Sequence, residues 1–295
     1  MNYLAEETNC LNCHNGNVSS ANILTQLSKS YIHNVYGYNL SHARVENALS
    51  SVMHVECSDC HNPHATRVSI ATAPYANGYI TGVMGISQAG SPVNPIQYQF
   101  ELCYRCHADS PDKPAARTVR QIIQDNVRLE FDQVNPSYHP ITAAGKNTNC
   151  ISLIRPAYSE TSILYCTDCH ASDGAGAPAG PHGSVYQSIL KYRYERADFT
   201  VESSTSYALC YSCHSRTSIL GDNSFGYHNR HIVEERTPCN ACHDPHGISS
   251  TQGNTTNNTH LINFDRSIVS PNGVSNLRFV DTGINSGYCM LTCHG

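Results

Sequence analysis

The sequence has little of the side-chain bulk from which a protein of 295 residues normally builds a hydrophobic core. It has no tryptophan, only six phenylalanines and no long aliphatic run, whereas tyrosine occurs 18 times. Burial of so few large apolar side chains would struggle to offset the conformational entropy that the chain loses on folding. We therefore expect groups other than side chains to form much of the core.

Two further absences restrict the class of protein. No apolar stretch approaches the length of a membrane span, and the first residues do not have the charged-then-apolar pattern of a signal peptide. The formal net charge is −5, with no cluster of basic residues of the kind that binds nucleic acid. The sequence therefore predicts a protein that has no transmembrane segment and does not bind nucleic acid.

Cysteine is abundant and regularly placed. Fourteen of the fifteen cysteines form seven closely spaced pairs, and each pair is followed directly by histidine. Two thiols at this spacing add to the two vinyl groups of one haem, and the adjacent imidazole becomes the fifth ligand of the iron. The sequence thus predicts seven covalently bound haem c groups. In chain order, the seven motifs are Cys10–Cys13–His14, Cys57–Cys60–His61, Cys103–Cys106–His107, Cys166–Cys169–His170, Cys210–Cys213–His214, Cys239–Cys242–His243 and Cys289–Cys293–His294.

A pair of cysteines at this spacing has other uses. It could be half of a zinc site or a thioredoxin-like redox pair, but neither chemistry requires a histidine directly after every pair. The seventh motif has one extra residue between its cysteines. A C-terminal disulfide or metal clip therefore stays open as an alternative to a haem at that motif.

Seven motifs in 295 residues leave about 42 residues for each haem, fewer than an independent domain normally needs for a core. The predicted fold is mostly irregular coil with short α-helices and little β-structure, a multihaem cytochrome c wrapped around a linear haem stack. The best amphipathic stretch is 115–131 and a weaker one is 184–194. Residues 171–183 and 249–259 are predicted to be polar loops.

The flanks of the motifs indicate an internal repeat. The segments 100–107, 207–214 and, more distantly, 287–294 resemble one another, and a Pro-His step follows three other motifs at Pro63-His64, Pro181-His182 and Pro245-His246. We therefore expect one heptahaem unit over 1–295. In that unit, haem one lies near 1–45 and three two-haem pseudo-repeats cover about 46–115, 116–220 and 221–295.

Ten histidines outside the motifs are available as sixth ligands, whereas methionine occurs only four times. We therefore predict bis-histidine irons, which have low potentials and no open position for a substrate; this indicates electron transfer and not an enzyme. Seven irons need seven sixth ligands, so three of the ten histidines should not be ligands. The expected sixth ligands are His54, His64, His139, His182, His231 and His246, while His33, His42, His228 and His260 compete for the remaining position.

Because c-type haem is attached outside the cytoplasm, we expect an export signal to have been removed before residue 1 and the protein to be extracellular or at the cell surface. Four sequons would permit N-glycosylation of an exported chain, although such short patterns also arise by chance. They begin at Asn17, Asn39, Asn254 and Asn257. The unpaired Cys150 is either a buried free thiol or an intermolecular link.

The segments 54–64, 138–140, 180–184 and 242–247, together with the repeated Leu-Cys-Tyr-x-Cys-His motif, resemble the extracellular multihaem cytochromes. Among these, the chain looks most like the filament-forming cytochromes called nanowires. The resemblance implies bis-histidine haems in contact, in alternating parallel and T-shaped pairs, and identical subunits in a helical filament that serves redox partners or extracellular electron acceptors.

Seven haems and the extended final motif depart from the best-known filaments. The first and last motifs lie near the two ends of the sequence, so haems could reach both faces of a subunit. We expect His33 or His42 to be donated to a haem of the next subunit. A non-polymeric electron carrier and a multihaem oxyanion reductase are the alternatives to a filament.

Overall fold

Most of the backbone is irregular. The structure is a computed structural model that describes residues 5–38, 46–52, 54–250, 259–273 and 276–293. About 23% of the chain is helical and 14% is strand. The predicted fold class, irregular coil with short helices and little β-structure, is confirmed.

The helices are short, and most of them begin at or beside a cysteine pair. Six of the nine α-helical segments in the described ranges contain a motif cysteine. The segments are α1 (Glu6–Leu11), α2 (Ile23–Gln26), α3 (Cys57–Cys60), α4 (Gln99–His107), α5 (Val127–Glu130), α6 (Cys166–Cys169), α7 (Ala208–Tyr211), α8 (Arg216–Leu220) and α9 (Cys239–Cys242).

The strands form antiparallel pairs. Among the described residues these are β1 with β5, β2 with β3, β4 with β6, β7 with β10, and β8 with β9. Their bounds are β1 (Tyr31–Ile32), β2 (Gly85–Ile86), β3 (Pro92–Val93), β4 (Ser137–Tyr138), β5 (Gly183–Ser184), β6 (Gly247–Ile248), β7 (Val269–Ser270), β8 (Arg278–Gly283), β9 (Ser286–Met290) and β10 (Thr292–Cys293).

The chain forms two compact units. Unit 1 comprises Met1–Lys113 and Leu164–Tyr192, and unit 2 comprises Pro114–Ile163 and Arg193–Gly295. The first four motifs belong to unit 1 and the last three to unit 2. The boundary between the units therefore falls inside the predicted pseudo-repeat 116–220.

Unit 2 contains a small apolar cluster near the sixth and seventh motifs. Its buried members come from the end of α9 and from the segments around β7 and β8, and Cys242 and Cys293 pack against it. The cluster consists of Ala241, Ile262, Phe264, Val269, Leu277 and Phe279. Its small size agrees with the scarcity of large apolar side chains in the sequence.

A buried polar network holds the segment before α5 in place. Arg120 donates to the backbone carbonyls of Asn240 (2.6 Å) and Asn263 (2.9 Å), and its Nε lies 3.4 Å from Asp244 Oδ2. Asn263 in turn donates to Asp244 Oδ2 at 3.0 Å. All four side chains are buried. The network thus ties one strand-like segment to the sixth motif.

This network explains why the predicted amphipathic stretch 115–131 is helical only over Val127–Glu130. The backbone NH of Gln121 donates to the carbonyl of Phe264, and that of Ile122 donates to Asn263 Oδ1. A helix would use these groups internally, so the tertiary hydrogen bonds exclude one. In the weaker stretch, 184–194, a short turn at Gln187–Ile189 is the helical part.

Candidate functional site

Six of the motifs share one local structure. The two cysteines lie on a single helical turn, and in five motifs the backbone NH of the histidine donates to the carbonyl of the first cysteine at 2.9–3.0 Å. At α3, α6 and α9 the helix ends at the histidine, whose backbone is extended. The turn therefore brings both thiols and the imidazole of a motif close together, as haem attachment requires.

The sequence of two motifs stabilises this turn. Asp59 and Asp168 stand directly before the second cysteine of the second and fourth motifs. Each carboxylate accepts a hydrogen bond from the backbone NH at the start of the helix, Asp59 from Glu56 at 2.7 Å and Asp168 from Tyr165 at 2.8 Å. Such a contact satisfies an NH group that a short helix otherwise leaves without a partner.

Four of the motif histidines have a hydrogen bond at Nδ1. His61, His170 and His243 donate to backbone carbonyls at 2.9, 2.8 and 3.0 Å, and His214 Nδ1 lies 2.9 Å from Ser152 Oγ. A hydrogen bond at Nδ1 orients the ring and assigns Nε2 to a metal, which is the usual arrangement of a histidine ligand.

Three motif histidines lie close to a second histidine of the same unit. The ring centroids are 6.1 Å apart for His61 and His182 and 6.2 Å apart for His107 and His33. In unit 2, His243 and His228 are 6.3 Å apart. The planes of the first pair lie within 13° of each other, and those of the other two pairs are tilted by 55° and 46°.

These spacings fit a haem iron between the rings. Metal–imidazole bonds are about 2.0–2.1 Å long and each nitrogen lies about 1 Å from its ring centre, so two imidazoles on one iron have centroids about 6 Å apart. His182 is buried, and its Nδ1 has no hydrogen bond in the described part of the chain. The residues of the second, third and sixth motifs therefore fit haem with two axial histidines.

The other histidines occupy different surroundings. Burial and, to a smaller extent, the charge of His139 lower the pKa of His214 to about 4. His231 packs against Phe225, whereas His64 is exposed. His42 and His294 lie outside the described residues.

Two histidines contact carboxylates through Nε2. His260 has its Nε2 3.1 Å from Asp281 Oδ2, and the corresponding distance from His54 to Glu46 Oε2 is 3.5 Å. A carboxylate at Nε2 competes with iron for that nitrogen. The shorter contact makes His260 the less suitable ligand of the two.

The seventh motif differs from the other six. Cys289 lies on β9 opposite Phe279, and Cys293 lies on β10 opposite Val269, so no single helical turn carries both cysteines. The two thiols are present as donors, but the local structure shared by the six regular motifs is replaced by strands. The extra residue between the cysteines is the sequence signal for this difference.

Successive motifs of unit 1 contact one another in chain order. Between the first and second motifs, Glu6 accepts hydrogen bonds from the backbone NH and Oγ of Ser58, both at 2.7 Å. The Cys10 and Cys57 sulfur atoms lie within 4.8 Å of each other. The second and third motifs are joined by a buried ion pair in which Arg105 Nη2 is 2.9 Å from Asp59 Oδ1.

The same order continues along both units. Gln99 donates to Thr167 at 2.6 Å between the third and fourth motifs, and Cys103 and Cys166 are hydrogen-bonded. In unit 2, the fifth and sixth motifs meet through Cys210 and Cys239, and the sixth and seventh share the apolar cluster. The first motif thus contacts the second as the third contacts the fourth, although the sequence flanks set the first motif apart. Similarity between the flanking sequences therefore does not predict how the helical turns of the motifs pack against one another.

Two of the strand pairs bring histidines together. In unit 1, Asn22 caps α2 by accepting a hydrogen bond from the backbone NH of Thr25 at 3.0 Å. The chain then forms β1, which pairs antiparallel with β5. His33 directly follows β1 and His182 directly precedes β5, so the pairing places these two histidines side by side.

Unit 2 repeats this arrangement. Asn126 caps α5 by accepting a hydrogen bond from the backbone NH of Arg128 at 3.1 Å. The chain then forms β4, which pairs antiparallel with β6. His139 directly follows β4, as His33 follows β1 in unit 1. His246 directly precedes β6, as His182 precedes β5.

A glycine is required at the same position of both arrangements. A Cβ atom on Gly183 would lie 2.0 Å from the carbonyl oxygen of Gln26, and one on Gly247 would lie 2.2 Å from that of Glu130. We call each arrangement a histidine clip: α2, β1 and β5 with His33 and His182, and α5, β4 and β6 with His139 and His246. The sequence analysis missed this repeat, and the shared Pro-His-Gly is the signal that could have found it.

The two clips differ in one charge. Glu130, the last residue of α5, is buried, and its Oε2 accepts a hydrogen bond from His246 Nδ1 at 2.8 Å. Burial raises the pKa of Glu130 to about 7, although His246 opposes the rise. The corresponding last residue of α2 is the neutral Gln26, which is also buried.

Burial makes several motif thiols poor nucleophiles. It raises the pKa of Cys60 and of Cys242 to about 12 and that of Cys106 to about 11. Reactive thiols have lowered pKa values instead. The first cysteines of the first and fifth motifs differ, because hydrogen bonds with Cys57 and Cys239 lower the pKa of Cys10 and of Cys210. All fifteen cysteines are free of disulfide bonds.

A cavity of about 460 Å³ adjoins the fifth motif and includes His214, Arg155 and Arg216 in its lining. Both arginines are already paired, Arg155 with Glu160 and Arg216 with Glu202, each at 2.5 Å. Cys150 lies nearby and is half-buried, with its Sγ 3.7 Å from Ser152 Oγ. Of the four sequon asparagines, Asn17 is exposed and Asn39, Asn254 and Asn257 lie outside the described residues.

Among the described residues, no helix combines the length and the hydropathy that crossing a bilayer demands. A protein-family model described as outer membrane cytochrome MtrC/MtrF-like, domains II/IV, matches residues 93–256. This region is more than half of the chain and contains four of the seven motifs. No curated protein and no solved structure matches the sequence.

Proposed function

Because this chain belongs to the MtrC/MtrF-like family of outer membrane cytochromes, we propose that it is a heptahaem electron conduit and a subunit of an extracellular filament. Family membership gives the coarser statement, which is extracellular electron transfer through covalently bound c-type haems. The number of haems, their bis-histidine ligation and the filament are our proposals, as is a location outside the cell or at its surface.

The spacing of 6.1–6.3 Å in three histidine pairs carries the proposal of bis-histidine ligation. Haem c supplies reversible one-electron oxidation and reduction of iron. The chain's residues hold an imidazole on each side of a site and fix the second nitrogen of several rings by hydrogen bonds. Two protein ligands leave no position for a substrate, so we propose that the protein is not an enzyme.

The contacts between successive motifs support a conduit. They link the first four motifs in unit 1 and the last three in unit 2, each in chain order. Motifs in direct contact hold their cofactors close together, as electron transfer requires. We therefore propose that the haems of each unit follow one another in the order of the sequence.

The filament rests on the resemblance of the motifs to those of the nanowire cytochromes. A histidine from one subunit would complete a haem site of the next, and we propose His42 as this donor. The other candidate, His33, lies opposite His107 of its own chain. A discrete electron carrier with the same haems is the alternative that the experiment must separate from the filament.

The cavity beside His214 is the place where a reductase would bind an oxyanion. Its two arginines are already neutralised by Glu160 and Glu202. A bound anion would therefore have to displace a carboxylate from each guanidinium group. This makes the cavity a poor anion site and favours electron transfer over reduction of nitrite or hydroxylamine.

The experiment is spectroscopy of the purified native protein followed by electron microscopy of the same sample. We expect only low-spin ferric irons by electron paramagnetic resonance, no binding of carbon monoxide to the reduced protein, and filaments in the images. Low-spin irons in single particles would support the discrete carrier. A high-spin iron that binds carbon monoxide, together with turnover of nitrite or hydroxylamine, would overturn the proposal in favour of a reductase.

A further inference from the structure

The two histidine clips offer an internal comparison, because equivalent histidines have different neighbours. His182 in unit 1 and His246 in unit 2 each stand directly before a Gly-initiated strand. At the end of the adjacent helix, the first clip has Gln26 and the second has Glu130. His246 thus has a carboxyl group as its hydrogen-bond partner, whereas the buried His182 Nδ1 and Gln26 Oε1 have no hydrogen-bond partner in the described part of the chain.

The Glu130 carboxylate is aimed at the imidazole. Its Oε2 lies 2.8 Å from His246 Nδ1, so any bond from this ring to an iron is made by Nε2. The backbone carbonyl of Glu130 is held separately, because Asn135 donates to it at 2.7 Å. The carboxylate is therefore not needed to keep the end of α5 in position.

From this geometry, we propose that Glu130 is a positioning residue that lowers the reduction potential of the iron bound by His246. The inference rests on the bis-histidine ligation proposed above. A carboxylate that accepts the Nδ1 proton increases the electron donation of the imidazole, and donation stabilises the ferric state. In a buried site this effect is weakly screened.

Two other charged groups lie near Glu130. Arg120 and Asp244 act electrostatically on both Glu130 and His246, with opposite signs. They form a pair with each other, at 3.4 Å. Glu130 is therefore the acidic group that contacts His246 directly, whereas the corresponding residue of the first clip is the uncharged Gln26.

The test is potentiometry of the fully loaded protein carrying Glu130→Gln, which reproduces the first clip in the second. We expect one haem to titrate at a more positive potential, with the remaining haems unchanged and the number of haems the same. Its ferric signal in electron paramagnetic resonance should shift as well.

Asp281→Asn is the matched control, because this carboxylate contacts His260, which we do not assign to an iron. No potential should move in that variant. His246→Ala tests the ligation by itself and should convert one haem to the high-spin state.

If His246→Ala gives a high-spin haem but Glu130→Gln moves no potential, the inference is overturned and the electron-transfer function stands. If every haem remains low-spin in His246→Ala, His246 is not a ligand and the inference is overturned on that ground. Failure of the proposed function is seen separately, as a high-spin iron in the unaltered protein.

Discussion

A histidine is a well-oriented iron ligand when one ring nitrogen has a fixed partner and the other faces the metal. The chain supplies such partners from its irregular backbone, as in the hydrogen bonds from His61 to Tyr79 and from His243 to His260. A backbone carbonyl serves as acceptor whatever the side chain is. This explains how a sequence with little regular structure can orient many imidazoles.

The first prediction concerns His33. Replacement by alanine removes the imidazole that faces His107, so the haem of the third motif should become five-coordinate and high-spin. Absorbance and electron paramagnetic resonance of the ferric variant measure this change. His260→Ala is the control and should leave all haems low-spin, because Asp281 holds its Nε2. A wholly low-spin spectrum of His33→Ala would contradict the pairing.

The motifs could be predicted from the sequence, but which histidine outside the motifs lies near which motif histidine could not. Each motif is local, so its cysteines and histidine are read directly from the chain. His33 and His107 are 74 positions apart in the numbering, so no local pattern reveals that their rings lie close together. From the sequence, His33 and His228 were only two of four candidates for the remaining ligand position. In the structure, each lies close to a motif histidine.

At the scale of elements, short helical turns position the cysteines and histidines of six motifs. Tertiary hydrogen bonds determine where some helices end. The segment 115–126 has some helical spacing but is held by Arg120 and Asn263 instead. Spacing alone could not reveal this, because the partners of that segment lie more than a hundred residues later. The two histidine clips also depend on pairing between distant strands, although the shared Pro-His-Gly marks one strand of each clip in the sequence.

The second prediction concerns the buried network around Arg120. Arg120→Leu leaves Asp244 buried without its cation and leaves two backbone carbonyls without a donor, so the free energy of unfolding should fall by about 3–5 kcal/mol. Guanidinium denaturation followed by circular dichroism measures the loss. The exposed Arg117 is a matched control, and Arg117→Leu should change stability by less than about 0.5 kcal/mol. Equal effects of the two variants would contradict a structural role of the network.

The third prediction concerns the seventh motif, whose cysteines lie on two different strands. Cys289→Ser combined with Cys293→Ser should remove one covalently bound haem, as measured by intact mass. Cys150→Ser is the control and should remove none, because Cys150 belongs to no motif. An unchanged number of haems in the double variant would favour a disulfide or metal clip at this motif.

At the scale of the whole molecule, we propose that the covalently bound haems take the place of a large apolar core. The apolar cluster of unit 2 has six buried members, and much of each unit is linked through contacts between motifs. This follows from the composition, which is poor in large apolar side chains. The fold class could therefore be predicted from the sequence, whereas the division into two units depends on contacts that composition does not determine.

The fourth prediction concerns assembly. If His42 completes a haem site of the neighbouring subunit, His42→Ala should abolish filaments and leave single particles in electron micrographs. His64→Ala is a useful comparison, because this exposed histidine is not proposed to cross the junction. Filaments of normal length in His42→Ala would show that another group joins the subunits.

The central claim is that each iron has two histidine ligands and that the haems of each unit follow one another in the order of the sequence. Cryo-electron microscopy of the native protein, at a resolution that shows the iron ligands, tests this claim most directly. We predict filaments with seven six-coordinate irons per subunit, with His182, His33 and His228 at the second, third and sixth haems. Single particles with an iron that lacks a protein ligand on one side would contradict the account.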